Sequence, residues 1–471
     1  MNNETKPTDD TSAKKRWHKP TLTPHRIGSL NKFGSVSGGH YQDSFEAISI
    51  ASLIEEYGSP LFVLSEQRLR NNVRKLLRAF ETRYANVTYS WSYKTNYLAA
   101  VCNTLHQEGA WAEVVSAFEY EKARQLGMPA EKILFNGPHK ERPILERVVA
   151  EGGRIHIDHL DELYLLEDVA KEAGKQVDVT MRLNFDTGFT EPWSRFGFNI
   201  ESGQALDAAR ILGDSKHLNL CGLHSHLGTF ILDPRAYGAQ IRIMCAFMDK
   251  IELQTGCEIE SIDIGGGFAS MNALQGTYLP PEQVVPSMDQ YAEAICTALN
   301  DATRERDMQG RGRPRLIIES GRAVVDDAEI LVSSVVANKR MPDGRRSVVI
   351  DAGVNLLFTG FWYNHQVTPT RQLEGVAEDT VLYGPLCMNI DIMRASVLLP
   401  PLNVGDSMIF SNVGAYNNTQ WMQFIEYRPN VVMIHSDKQV SIVRAAEDLH
   451  VMTAQESIPA HLCSLETQQD I

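Results

Sequence analysis

A lysine stands at the end of a short β-rich run, in YSWSYKTN, where its amine could act as a nucleophile. This residue, Lys94, follows aromatic residues, and a lysine that is desolvated in such surroundings has a lowered pKa. An unprotonated amine of this kind attacks carbonyl groups. The run therefore predicts a carbonyl-binding lysine, with an ordinary solvated lysine at a strand end as the alternative.

Two further runs end in groups that suit anions or a ring nitrogen. The run RLII is followed by Glu319, a carboxylate suited to a pyridine-type nitrogen, and by Arg322, a guanidinium suited to a phosphate or a carboxylate. A local ion pair is the alternative for these two. The run SIDI is followed by three glycines, whose backbone amides can approach a phosphate closely: Gly265, Gly266 and Gly267.

Two histidines lie two positions apart in GLHSHLGT and therefore point to one face of a strand. His226 could stack its ring on a planar cofactor, and Thr229 could help to hold a phosphate. His224 and His226 could instead bind a metal, but zinc needs further ligands at matching geometry, and none stands out in the sequence. The sequence therefore predicts no metal site.

These residues end the members of a repeated βα unit between about 85 and 322. Eight units predict an α/β fold with a parallel (β/α)8 TIM barrel, and an open doubly wound sheet is the alternative. In a barrel the active site lies at the carboxyl ends of the strands, where the reactive residues occur. The eight β-rich runs are 87–94, 111–116, 133–137, 155–158, 178–185, 220–227, 261–267 and 315–321.

From about 326 the helical patterns stop, and short β-rich runs separated by Gly, Asp, Asn and Pro predict a C-terminal β-domain. The strand in SPLFVLSEQ, before the barrel, could belong to either domain. The predicted organisation is a flexible N-terminal arm over 1–25, a segment over 26–65 that partly joins the β-domain, the barrel over 66–325, the β-domain over 326–450 and a loose tail over 451–471.

Composition narrows the class of function. The 471 residues include 45 Lys and Arg against 59 Asp and Glu, and this net charge of −14 disfavours nucleic acid and anionic membranes as partners. No run reaches the roughly 18 apolar residues of a membrane span, and the start lacks the apolar core of a secretory signal. Seven cysteines without a CxxC pattern provide no disulfide or zinc framework. We therefore expect a cytoplasmic protein that acts on a small molecule.

Taken together, these motifs resemble those of the fold-type III pyridoxal-phosphate decarboxylases, the family of diaminopimelate and ornithine decarboxylases. The resemblance covers about 60 to 430. It implies an alanine-racemase-like barrel, pyridoxal 5'-phosphate as the cofactor, an amino-acid substrate, and a homodimer with shared active sites. The segments that carry it are YSWSYKTN, EVVSAFEYEKARQLG, GLHSHLGT, IDIGGGF, ESGR, GPLCMNID and GAY.

The resemblance also implies a role for each matching residue. Lys94 would hold the cofactor as a Schiff base, Glu319 would keep the pyridine nitrogen protonated, and His226 would stack on the ring. Cys387 from the other subunit would return a proton to the α-carbon. An acidic partner at the ring nitrogen favours decarboxylation over racemisation. The residues expected around the phosphate or neighbouring substrate groups are Thr229, Gly265, Gly266, Gly267, Gly321, Arg322 and Tyr416.

Two positions depart from the family pattern where the far end of the substrate should bind. Thr359, in DAGVNLLFTGFWY, stands where the diaminopimelate enzymes carry an arginine, although Tyr363 is retained. Met388, in CMNID, stands where the family carries a carboxylate. Uncharged side chains do not offset the desolvation of a buried charge on the substrate. The predicted substrate contacts are Arg322, Thr359, Tyr363 and Met388.

These departures favour a PLP-dependent carboxy-lyase that releases CO2 from a non-standard amino acid, such as a precursor of a siderophore or another secondary metabolite. The first alternative is meso-diaminopimelate decarboxylase of lysine biosynthesis, with distal contacts from unaligned residues. The second is a non-catalytic paralogue that regulates a decarboxylase. Retention of Lys94, Glu319 and Cys387 disfavours the second alternative.

Overall fold

A computed structural model of the chain describes residues 40–277 and 279–462. The predicted flexible arm over 1–25, together with 26–39 of the next segment and 463–471 of the predicted tail, lies outside the described residues. The described chain begins with the paired strands β1 (Ser44–Phe45) and β2 (Ile48–Ser49), helix α1 (Ile50–Tyr57) and strand β3 (Leu61–Ser65).

Eight parallel strands form a closed barrel, which confirms the predicted fold class and excludes the open sheet. The ring closes because β10 pairs with both β8 and β11, and β12 pairs with β4. A short extra strand, β9, continues the pairing beyond β8. The strands are β4 (Val87–Ser92), β5 (Trp111–Val114), β6 (Ile133–Phe135), β7 (Arg154–Ile157), β8 (Val177–Asn184), β9 (Phe198–Asn199), β10 (Leu218–His224), β11 (Ser261–Asp263) and β12 (Arg315–Ile318).

Helices surround the barrel and bury their apolar faces against it. The hydroxyl of Ser65 accepts a hydrogen bond from the backbone N–H of Arg68 and so caps α2, the helix that precedes β4. Pro143 lies in the first turn of α5, where its missing N–H costs no helical hydrogen bond. The helices are α2 (Glu66–Glu81), α3 (Ala99–Gln107), α4 (Ala117–Gln125), α5 (Arg142–Glu151), α6 (Leu160–Glu172), α7 (Gln204–Asp214), α8 (Arg235–Thr255), α9 (Pro281–Val284), α10 (Met288–Ala302), α11 (Arg304–Met308) and α12 (Arg322–Val325).

The C-terminal region is a β-sheet whose centre includes a strand from before the barrel. β3 pairs antiparallel with β13 and parallel with β19, so the strand in SPLFVLSEQ belongs to this sheet. Strand β18 pairs with β13 and β15. The sheet order is β17-β16-β14-β13-β3-β19-β20. Its strands are β13 (Glu329–Arg340), β14 (Arg346–Ile350), β15 (Val367–Pro369), β16 (Glu378–Tyr383), β17 (Ile392–Leu399), β18 (Ser407–Phe410), β19 (Val431–Ile434) and β20 (Val440–Arg444).

After the sheet, the described chain ends in helix α13 (Leu449–Thr453) and a 3-10 turn over Ala460–Leu462. The domain boundaries, including the loose tail over 451–471, stay predictions. Within the described ranges, no helix has the length and apolar character needed to cross a membrane. The six cysteines that the structure describes are all free thiols.

Candidate active site

A cavity of about 700 Å³ opens at the carboxyl ends of the barrel strands. This is the position at which a barrel enzyme carries its active site. Most of the residues selected from the sequence line it, although they come from distant parts of the chain. The selected residues on its wall are Lys94, His226, Thr229, Gly266, Gly267, Glu319, Gly321, Arg322, Tyr363 and Tyr416.

Lys94 lies in a 3-10 turn directly after β4 and forms an ion pair with Glu113. Its Nζ is 2.9 and 3.1 Å from the two Glu113 carboxylate oxygens. Burial lowers the pKa of the Lys94 amine, but the negative charges of Glu113 and Glu319 more than offset this, so that its pKa is raised. The expectation of a lowered lysine pKa is therefore wrong, because the sequence did not place Glu113 against Lys94.

Glu319 follows β12 at the floor of the cavity, and the side chain is almost fully buried. Its Oε1 accepts a hydrogen bond of 2.6 Å from Asn136 Nδ2. The Nε2 of His224 lies 3.3 Å from Oε2, outside hydrogen-bond geometry. Burial, followed by the charge of Arg182, lowers the pKa of His224 well below its usual value, so this imidazole is neutral. Glu319 is thus a buried carboxylate contacted by neutral groups.

His226 presents its ring to the cavity and is fixed from two sides. Its Nδ1 accepts a hydrogen bond of 3.1 Å from the backbone N–H of Gly266, which leaves the proton of the neutral ring on Nε2. Burial and the charge of Lys94 lower the pKa of His226 well below its usual value. Trp193 contacts the ring edge-on, with centroids 5.2 Å apart. Gly265 lies behind the ring, where a Cβ would approach Nδ1 to 2.6 Å.

Arg322 lies on the cavity wall beside Thr229. Its Nη2 donates a hydrogen bond of 3.2 Å to Thr229 Oγ1, whereas Nη1 is buried and has no partner among the described residues. The guanidinium carbon lies 5.1 Å from the Tyr363 ring centre and 4.9 Å from that of Tyr416. A buried donor without a partner is costly, so the position suits an incoming anionic ligand.

The loop that carries Tyr416 is hydrogen-bonded to the Lys94 turn, which joins the β-domain to the barrel mouth. The backbone N–H of Tyr416 donates to Thr95 O at 2.7 Å, and Thr419 Oγ1 donates to Lys94 O at 2.8 Å. Asp326 accepts a hydrogen bond from the backbone N–H of Ala415. These bonds fix Tyr416 and Lys94 relative to each other.

Besides Gly265, which lies behind the His226 ring, three of the selected residues do not line this cavity. Thr359 is buried elsewhere, and its hydroxyl contacts His365 Nε2 at 2.8 Å and donates to Asn417 Oδ1 at 2.9 Å. Cys387 is exposed and Met388 is half-buried, and neither is on the cavity wall of its own chain. Within one chain, the structure therefore brings neither the thiol nor the two departing positions to the site.

The described donor set fits a pyridine ring that carries a phosphate. A Cβ at Gly266 would approach Glu319 O to 2.5 Å, so only glycine leaves the backbone this close to the cavity floor. Its neighbours in the turn and the unpartnered Arg322 Nη1 can receive a phosphate, while Glu319 can pair with a ring nitrogen. The Lys94 amine faces the same cavity, where it can reach a carbonyl carbon.

Sequence reasoning selected neither Glu113 nor Asn136 as site residues, although both stand at strand ends that it identified. For Glu113, the signal in the sequence is a carboxylate within the apolar run WAEVV. Arg182, within the predicted run 178–185, is a further cavity residue that was not selected. Trp193, on the loop between β8 and β9, offered no signal, because loop geometry brings it against His226. All four line the cavity.

One polar cluster lies beneath the cavity floor and bears on the expectation of no metal site. One nitrogen or carboxylate oxygen from each of His156, His224, Asp263 and Glu319 lies within 4.8 Å of the others. The sequence offered no carboxylate companion for His224, whereas the closed barrel supplies two from neighbouring strands. The prediction that the site uses no metal stays a prediction.

Comparison with known proteins places the chain in a family. Residues 70–326 match the model of the pyridoxal-dependent decarboxylases, pyridoxal binding domain. The chain is 29% identical to a diaminopimelate decarboxylase of Methanothermobacter thermautotrophicus, over 87% of this chain and 94% of the relative. It is 28% identical to that of Methanocaldococcus jannaschii, over 90% and 96% respectively.

Solved structures have the same fold over nearly their whole length. The diaminopimelate decarboxylase of M. jannaschii superposes with a TM-score of 0.80 at 26% identity, over 89% of this chain and 96% of that one. A lysine/ornithine decarboxylase of Vibrio vulnificus in complex with putrescine gives 0.70 at 25% identity, over 83% and 98%. Together with the cavity described above, these matches show that the chain belongs to the fold-type III pyridoxal-dependent decarboxylases and is an amino-acid decarboxylase that uses pyridoxal phosphate.

Proposed function

We propose that the chain releases CO2 from meso-diaminopimelate. The observation that carries this proposal is the similarity to diaminopimelate decarboxylases across both the barrel and the β-domain, over about nine-tenths of each protein. The relatives support this substrate, the first alternative from the sequence, better than the non-standard amino acid that the sequence favoured. A non-catalytic role has no support, because the chain is a decarboxylase of this family.

The residues of the cavity take roles that follow from their chemistry. When bound, the cofactor provides a ring that accepts the electron pair left by departing CO2. Lys94 binds its carbonyl carbon, Glu319 holds the proton at the ring nitrogen, and the neutral ring of His226 supports one face. Arg322 and the glycine turn after β11 would hold the phosphate. Tyr416 closes the same wall from the β-domain.

A second copy of the chain completes the site in this proposal. Cys387 is exposed and absent from its own cavity, as expected for a thiol that serves a neighbouring subunit. The same subunit would also supply Met388 and a contact to the far end of the substrate. We also propose that the protein is a homodimer and that it is cytoplasmic.

A second candidate substrate is an amino acid whose far end is uncharged. It is favoured by the apolar side chains with which the described part of the chain lines much of the cavity. The ionised side chains that line the cavity already face the cofactor-binding groups or, like Arg182, an internal partner. The apolar wall residues are Trp193, Phe196, Phe230, Leu274 and Trp362.

The test is CO2 release from the cofactor-loaded enzyme with a panel of amino acids. The panel contains meso-diaminopimelate, both enantiomers of lysine, ornithine, arginine, glutamate, and N-acylated diamino acids. Release from meso-diaminopimelate alone supports the proposal. Release from an N-acylated or other member, with meso-diaminopimelate inert, replaces it with the second candidate.

Two variants make the panel interpretable. Lys94→Ala should abolish both CO2 release and the covalent link to the cofactor that borohydride makes permanent. Lys171→Ala, on the exposed face of α6, should match the unmodified enzyme. A borohydride-stable adduct that survives in Lys94→Ala would assign the link to another lysine.

A further inference from the structure

Two carboxyl groups from neighbouring strands lie together beneath the cavity floor. Asp263 is the last residue of β11 and is fully buried, and Glu319 directly follows β12. The Oδ1 atom of Asp263 accepts a hydrogen bond of 2.9 Å from the backbone N–H of Gly265. Its Oδ2 atom is buried, and no residue that the structure describes forms a hydrogen bond with it. A carboxylate oxygen of each residue lies within 4.8 Å of the other.

Two carboxylates this close in the buried barrel interior repel each other strongly, and one retained proton relieves this repulsion. Glu319 is the better place for the negative charge, because it has the strong hydrogen bond from Asn136 and faces the Lys94 ammonium across the cavity. Within 40–277 and 279–462, Asp263 has one backbone donor and no cation in contact. The same groups act on its pKa: burial, and then the charge of Glu319, raise the pKa of Asp263 well above its usual value.

A metal ion is the other way to neutralise such a pair, and the surrounding charges disfavour it. The positive charges of Arg182, Lys94 and Lys140 all act on the neighbouring His224 and help to keep it neutral. A divalent metal ion would lie among these three cations and be repelled by them. A proton on Asp263 only neutralises that one carboxylate. The ionisable groups around the pair are Lys94, Glu113, Lys140, His156, Asp158, Arg182 and His224.

We infer that Asp263 is a neutral carboxylic acid whose proton faces Glu319, and that it is a positioning residue that keeps Glu319 ionised at the cavity floor. It acts through Glu319 and touches neither substrate nor cofactor. Through its other oxygen it also fixes the first glycine of the turn after β11. This one side chain therefore couples the carboxylate for the ring nitrogen to the turn for the phosphate. The inference does not depend on which amino acid is the substrate.

The test compares Asp263→Asn with Asp263→Ala. Asparagine keeps a neutral donor toward Glu319 and an acceptor for the Gly265 N–H, so the dissociation constant for pyridoxal phosphate should stay within about threefold of the original. Alanine removes both groups and should raise that constant at least about tenfold, the usual effect of losing a hydrogen bond to a charged group. An asparagine variant as impaired as the alanine variant would show that an ionised Asp263 is required, and would overturn the inference.

A second readout uses the cofactor-free protein and is independent of activity. A neutral Asp263 keeps its proton in the folded state, whereas the unfolded chain releases it above about pH 4. The free energy of unfolding should therefore fall, relative to Asp263→Asn, as the pH rises from 5 to 8. A parallel pair of curves contradicts the inference. Asp158→Asn is the matched control. Because this buried barrel aspartate forms an ion pair with Arg182, the variant should be less stable than the unmodified protein throughout the same pH range.

Infrared spectroscopy of the unmodified protein covers the case in which the variants do not fold. At pH 9, above the pKa values of about 6 and about 8 for Asp326 and Glu329, a carboxylic-acid carbonyl band should remain. Its absence would overturn the inference. Elemental analysis that finds one bound metal per chain, lost in Asp263→Ala, would replace the proton with a cation.

Discussion

The contact between Lys94 and Glu113 determines how the reactive amine behaves. Glu113 is fully buried and also accepts hydrogen bonds from Ser92 and Asn136. The sequence could place Lys94 at a barrel opening, because strand ends converge there whatever the side chains are. It could not give the protonation state of the amine, because this depends on a carboxylate from the next strand. Without the cofactor, the Lys94 side chain is an ammonium paired with a buried carboxylate. It must lose a proton before it can bind a carbonyl carbon.

Glu113→Gln should shift the pH at which the protein takes up its cofactor. Removing the carboxylate removes the main charge that raises the pKa of Lys94, so the amine becomes free at lower pH. The midpoint of the rate of reconstitution with pyridoxal phosphate, followed by absorbance, should fall by at least about one pH unit. Glu121→Gln, on the exposed face of α4, serves as the control. An unchanged midpoint would remove Glu113 from this role.

Trp193→Ala should weaken cofactor binding through His226. The edge-on contact between the two rings holds the imidazole in place, and aromatic contacts of this type contribute about 0.5–1.5 kcal/mol. The dissociation constant for pyridoxal phosphate should therefore rise roughly two- to tenfold, with Trp193→Phe in between. Trp111→Phe, at the opposite end of the barrel, should have no effect on this constant. Equal affinity of the Trp193→Ala variant would show that His226 needs no support from the loop.

At the scale of elements, the barrel could be read from the sequence far better than the β-domain. Each of the eight predicted runs overlaps a barrel strand, because buried parallel strands are short, apolar and regularly spaced. In the β-domain, strands β15, β17 and β20 are not among the predicted runs, because β15 has only three residues and the other two are partly exposed edge strands. The assignment of β3 required tertiary pairing, which a local pattern does not contain.

Glu329, the first residue of β13, should make the protein less stable as the pH rises. Burial raises its pKa to about 8, and its Oε1 accepts a hydrogen bond of 2.7 Å from Asn418. Between the unfolded-state value near 4.5 and about 8, the unfolded chain binds fewer protons than the folded one, so stability decreases with pH.

Glu329→Gln removes this titration and keeps a neutral partner for Asn418. At pH 9 the variant should therefore have the larger free energy of unfolding, by a few kcal/mol at most, whereas at pH 4 the two proteins should differ little. Urea denaturation at both pH values measures the difference. A variant that is less stable at pH 9 would mean that an ionised Glu329 is required in the fold.

At the scale of the whole molecule, the chain alone does not assemble every residue that the family pattern indicates. The cavity is built from the barrel and the β-domain of one chain, whereas Cys387 is exposed outside it. The resemblance could suggest that a second subunit supplies this thiol, but neither composition nor periodicity could. A shared site makes activity a property of the pair of subunits.

Mixing two inactive variants tests the shared site. Lys94→Ala and Cys387→Ala should each lack turnover, and Cys387→Ala should retain the cofactor. After unfolding and refolding together at equal amounts, half of the dimers are mixed and each has one intact site, so about a quarter of the original activity should return. Mixed Lys94→Ala and Glu319→Ala chains are the control and should stay inactive. No recovery from the first mixture would mean that each chain uses its own thiol or none.

The position of β3 between β13 and β19 has a consequence for how such proteins diversify. The sheet is assembled from two stretches of sequence that are separated by the entire barrel. A recombination event that replaced only the part after β12 would leave β3 of the old sequence facing strands of the new one. Inheritance of a new β-domain therefore requires two matched exchanges, one on each side of the barrel, and grafting experiments between relatives should move both stretches together.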